Sequence, residues 1–111
     1  MNKLIKKLID RYRIYDQIDE FLDYKSQFCT TMGERKSMLT EMLKMARISD
    51  VRDITVHDLK TISQRLTGRY STFRRDSYVK VLRCFIRYYR QRKLTSINPL
   101  WIREDGNIVI G

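Results

Sequence analysis

Hydrophobic positions recur every three to four residues along most of the chain, and breaks in that rhythm divide it into helices. Leu4, Ile5, Leu8, Ile9 and Tyr12 predict an amphipathic helix over residues 3–15, with Lys3, Lys6, Lys7 and Arg11 off that face. Ile18, Phe21, Leu22, Lys25, Phe28 and Cys29 share a face in a second segment, residues 17–29, with Asp19, Glu20 and Asp23 opposite. That acidic side should point away from a nucleic acid, although acids in a first turn are also explained by the helix dipole. A third segment, residues 31–47, turns Met32, Leu39, Met42, Leu43 and Ala46 inward and sets Lys36, Thr40, Lys44 and Arg47 in a stripe beside them. Its methionines read as core filling rather than as an adaptable groove.

A start signal precedes the fourth segment: Thr55 is followed three residues later by Asp58, a capping-box spacing, ahead of Leu59, Ile62 and Leu66. The fourth helix is expected over residues 56–66. A fifth, capped by Ser71 or Thr72 and running to residue 93, gathers Tyr78, Leu82, Phe85 and Tyr89 in a narrow arc flanked by Val81 and Ile86. Lys80, Arg83, Arg87 and Arg90 fall nearly opposite, which gives one long helix a core face and a cationic face. After Pro99, apolar residues around Asp105-Gly106 suggest a small hairpin or a tail.

The chain is therefore expected to be all-α, a single domain of 111 residues with one modest core. Its charge sharpens the picture: 23 Lys and Arg against 13 Asp and Glu give a formal net charge of +10, which points to a polyanionic partner. Charges every two or three residues in the first fifteen exclude a signal sequence and a membrane span, and a flank-packed helix explains that segment better than a membrane-surface arm. Cys29 and Cys84 lack CxxC spacing and read as reduced thiols of an intracellular, cytoplasmic protein.

Candidate chemistry is sparse. His57 is the only histidine, and its place in a first turn suits an exposed or capping residue. No glycine-rich phosphate loop, HExxH or Cys/His cluster is present. No catalytic residue, metal site, cofactor or small-molecule substrate is expected, and the chain is not read as an enzyme by itself.

The order of the elements resembles the core-binding domain of tyrosine recombinases and phage integrases over roughly residues 18–99. The matching residues are Ile54-Thr55-Val56-His57-Asp58-Leu59, Ser71-Thr72, Arg75, Leu82-Arg83-Cys84-Phe85-Ile86-Arg87-Tyr88-Tyr89 and Ile97-Asn98-Pro99. Arg35 departs from the pattern, where the family often has an aromatic residue. The resemblance implies a compact four- to five-helix, SAM-like bundle with a short C-terminal extension, forming half of a clamp around double-stranded DNA. Residues 1–16 would be an amphipathic basic helix, 17–99 the DNA-binding domain, and 100–111 a linker or tail. The family's catalytic domain, with its His-x-x-Arg pair and tyrosine nucleophile, is not expected within these residues, since His57-Asp58-Leu59-Lys60 does not supply that pair, and the chain would be the binding half of such an enzyme, either cut at the linker or existing alone. Such a catalytic domain and other recombinase protomers would be partners.

Carried over by position, the DNA contacts would be Lys36, Thr40, Lys44 and Arg47 on one helix, and Ser71, Thr72, Arg74, Arg75, Lys80, Arg83 and Arg87 on the other. Most would hold phosphates, and those near the start of the second helix could read bases. Arg90, Arg92 and Lys93 are explained adequately by the dipole at the helix end. The competing reading is a stand-alone basic helical regulator or protein-interaction module of a recombination or replication complex.

Overall fold

The computed structural model describes the backbone of residues 3–26, 33–99 and 102, with side chains from residue 13 onward. Four α-helices follow in order: α1 (Lys3–Ser26), α2 (Gly33–Met45), α3 (Val56–Arg69) and α4 (Thr72–Gln91), with a 3-10 turn, Val51–Asp53, before α3. The all-α expectation holds. The side chains of residues 3–12, the segment around Phe28, Cys29, Thr31 and Met32, and the expected hairpin around Asp105-Gly106 lie outside the described residues.

The two helices expected before residue 30 are one. Nothing at Asp16-Gln17 breaks a helix, and Ile14, Gln17, Ile18, Phe21 and Leu22 are buried without interruption across that point. Asp19 and Glu20 thus lie mid-helix, and the dipole explanation offered for them fails: the first turn of α1 carries no acid.

Helix α2 packs against α1, α3 and α4. It brings Met38, Leu39, Met42 and Leu43 to the core, one residue beyond the expected stripe. Helix α3 starts as its sequence predicts, with the Asp58 N–H donating to Thr55 Oγ1 (3.2 Å) and the Thr55 N–H donating to Asp58 Oδ2 (2.9 Å). It runs past residue 66 to Arg69, so only Tyr70 and Ser71 separate it from α4. In α4 the expected arc of Tyr78, Leu82, Phe85, Ile86 and Tyr89 is buried, and Val79 and Tyr88 join it. Tyr88 is buried because α1 crosses there: its ring meets Phe21 edge-on at 5.5 Å and Tyr24 at 4.9 Å.

Both α2 and α4 end in the same way. At α2 the Arg47 N–H donates to the Lys44 carbonyl and the Ile48 N–H to the Leu43 carbonyl; at α4 the Lys93 N–H donates to the Arg90 carbonyl and the Leu94 N–H to the Tyr89 carbonyl. This paired pattern requires a left-handed residue, usually glycine, just past the helix end. Here the position is held by Arg47 (φ 55°) and Lys93 (φ 62°).

One buried polar junction ties α1 to the turn before α3. Asp50 accepts from Gln17 Nε2 (3.1 Å), the Arg52 N–H (2.9 Å) and Arg52 Nη2 (2.7 Å), while the Val51 N–H donates to Gln17 Oε1 (2.8 Å). Burial opposes ionisation of Asp50, but these donors outweigh it and hold its carboxyl far below the usual range.

Candidate nucleic-acid interface

The expected contact residues fall into distinct environments. At the start of α4 the charges are engaged within the bundle. Arg74 Nη1 lies 3.4 Å from Glu34 Oε1 on α2, and its guanidinium sits about 6 Å from the rings of Tyr70 and Tyr78. Those rings stack at 4.9 Å, and their hydroxyls donate to Glu41 at 2.7 and 2.5 Å. Arg69 also reaches Glu41, at 2.6 Å. Burial disfavours the Glu41 anion, but hydrogen bonds from Tyr78, Tyr70 and Arg69 prevail and lower its pKa. Burial and the Glu41 acceptor together push the Tyr78 hydroxyl up.

Ser71 caps α4 with a long bond, its Oγ accepting from the Arg74 N–H at 3.4 Å. Thr72 Oγ1 accepts from Arg75 Nη2 at 3.0 Å, while Arg75 Nε is buried with no acceptor among the described residues. Unlike α3, α4 has no acid in its first turn.

Arg83 is engaged by the chain's own backbone. Its Nε and Nη2 donate to the Ile102 carbonyl at 2.9 and 2.5 Å, so the segment carrying buried Ile97, Pro99 and Ile102 lies across that part of α4. Lys80 pairs with Asp76 at 3.1 Å, one turn away, but both are partly solvated and the pair holds Lys80 only weakly.

On α2, Lys36 reaches Asp19 of α1 at 3.0 Å, which turns its stripe toward α1. Thr40 is half-buried; Lys44 and Arg47 are exposed. Glu34 and Glu41 occupy the other flank, facing the α3–α4 corner, so the α2 stripe and the start of α4 are not brought together.

The cation of α2 that shares a cleft with α4 is Arg35, a residue outside the expected set. Half-buried, it lines a 260 Å³ cleft with Glu34, Met38, Ser77 and Lys80, and a 90 Å³ cleft with Phe21, Lys25, Lys80 and Cys84. Lys25, Arg35 and Lys80 thereby converge from α1, α2 and α4. Farther along α4, Arg87 and Arg90 line a 440 Å³ cleft with Gln91, Asn98 and Pro99. Arg90 also faces a 520 Å³ cleft with Arg52, Lys93, Thr95 and Ser96.

Arg87, Arg90 and Lys93 are exposed and have no ion-pair partner among the described residues. Arg92, by contrast, stacks 3.4 Å over the Tyr88 ring. Arg90 and Lys93 stood outside the expected contacts because their place at a helix end already had an explanation. Their shared clefts are the signal that only the fold supplies.

Among the described residues no group of His, Cys, Asp and Glu could hold a metal ion, and no helix is long and apolar enough to cross a membrane. Cys84 is a half-buried free thiol, and His57 is exposed. No family model, curated protein or solved structure matches the chain.

Proposed function

We propose that this protein binds duplex DNA along the outer side of α4, as the core-binding module of a tyrosine recombinase or integrase does, with strand chemistry left to a separate catalytic domain. The observation that carries the reading is the run of unneutralised cations on that side. Between Ser77 and Lys93 the sequence has no acid, and Arg87, Arg90 and Lys93 stand exposed around two clefts. A helix of twenty residues is roughly 30 Å long, enough to follow several phosphates.

Lys25, Arg35 and Lys80 extend the positive surface to the junction with α1 and α2. Lys36, Thr40, Lys44 and Arg47 on α2, and Ser71, Thr72, Arg74 and Arg75 at the head of α4, remain flanking contacts in this reading. Arg74 would have to leave Glu34 to take part, and Arg83 would have to leave the Ile102 carbonyl. The four-helix, all-α architecture is compatible with the SAM-like bundle that this reading expects. The proposed setting is the cell interior, where the DNA and the partner protomers are.

Phosphate neutralisation gives the test. Each phosphate contact should contribute a slope of roughly −0.9 in log K against log salt on duplex DNA. The double substitution Arg87→Glu and Arg90→Glu is expected to weaken duplex binding by about two orders of magnitude and to flatten that slope by roughly two, with circular dichroism unchanged. An unchanged affinity in the folded variant would refute the assignment.

A further inference from the structure

Phe73 is the one large hydrophobic side chain among the described residues that stands almost fully in solvent, at 87% exposure. The other exposed ones are only partly so: Tyr24 is 40% exposed and lies 5.5 Å from the Arg92 guanidinium, and Leu94 is 38% exposed beside the turn that closes α4. Phe73 sits on the first turn of α4, between Thr72 and Arg74, and has no ring contact with another described residue.

Its position along the helix gives this exposure a direction. Phe73, Lys80 and Arg87 are spaced seven residues apart, nearly two full turns each, so they form one line along the outer side of α4. At 1.5 Å per residue the ring leads Lys80 by roughly 10 Å and Arg87 by roughly 21 Å. An apolar group thus heads a row of cations, which suits a partner that is anionic along its backbone and apolar at its base edges.

We infer that Phe73 is a base-contacting residue that places its ring against thymine C5-methyl groups in the major groove. This rests on the DNA reading above. The major groove is about 12 Å wide and admits a helix, and the thymine methyl is its one apolar feature. Single-strand binders instead present successive aromatic platforms, whereas Phe73 stands alone on this side among the described residues.

The probes are two duplexes, one of alternating dA and dT and one with dU replacing every dT, which differ only in the C5-methyl. The protein is expected to bind the dT duplex about threefold more tightly, the scale of one methyl group removed from water. Phe73→Ala should bring both affinities to the dU value while leaving thermal stability and salt slope as they were; Phe73→Leu should keep the preference. If the protein binds both duplexes and Phe73→Ala leaves their ratio unchanged, or no preference exists at the start, this inference fails and the DNA reading stands. If neither duplex binds at 50 mM salt, the DNA reading fails first. Tighter binding of oligo-dT that is lost in Phe73→Ala would also overturn it, assigning the ring to stacking on unpaired bases.

Discussion

Charge is handled in opposite ways in two regions of this molecule. At the Asp50 and Glu41 junctions both oxygens of each carboxylate accept from donors within the chain, and the network joins α1 to the turn before α3 and α2 to the α3–α4 corner. On the outer side of α4, Arg87, Arg90 and Lys93 face solvent with no such partner among the described residues. The first arrangement stabilises the fold by itself. The second lacks such internal partners and leaves its electrostatic attraction available to something outside, which is why the proposed interface lies there rather than at the internal networks.

The contrast breaks most visibly at Asp50. Asp50→Ala is expected to cost about 3 kcal/mol in chemical denaturation, since it strands the buried Gln17 amide and removes the acceptor of the part-buried Arg52 N–H. Next is Glu41→Gln, which keeps the shape but removes the anion from three donors. A loss of about 1–2 kcal/mol is expected, and a loss below 0.3 kcal/mol would make the tyrosine–glutamate corner incidental.

Acid should affect the same two junctions. Both carboxyls sit below their ordinary values of 3.8 and 4.5, so the unfolded chain takes up protons first. Their stabilisation is complete above that range and is lost as pH falls below it. Unfolding midpoints measured between pH 7 and pH 3 should decline, and Asp50→Asn should decline less steeply.

Smaller effects sharpen the other side. Lys93→Gly should relieve a left-handed residue and raise stability by about 1 kcal/mol while weakening duplex binding. Arg87→Ala with Arg90→Ala should shift stability by no more than about 0.5 kcal/mol; a cost above 1 kcal/mol would show those cations to be structural, and the contrast would collapse.

Local rules were readable directly. Thr55 and Asp58 needed only each other to form their cap, and the arc from Tyr78 to Tyr89 followed from periodicity. Features that depend on distant partners were not. Tyr88 is buried by α1, Arg74 is held by a glutamate forty residues away, and Arg83 is held by a carbonyl nineteen residues on, none of which a helical wheel can show. The same limit hid Arg35: its meeting with Lys25 and Lys80 exists only where three helices converge. The separation at residue 16 was a different kind of miss, because a change in charge pattern between two apolar stripes does not by itself interrupt backbone hydrogen bonding.

The ring contacts between α1 and α4 also make the fold observable. Phe21 meets Phe85 at 89° and Tyr88 at 70°, and Tyr24 meets Tyr88 at 48°, so several chromophores are fixed across the two helices in an asymmetric setting. Near-ultraviolet dichroism should therefore report this seam separately from the helical signal in the far ultraviolet. A condition that loosens α1 from α4 while leaving the helices coiled would weaken the first signal and spare the second.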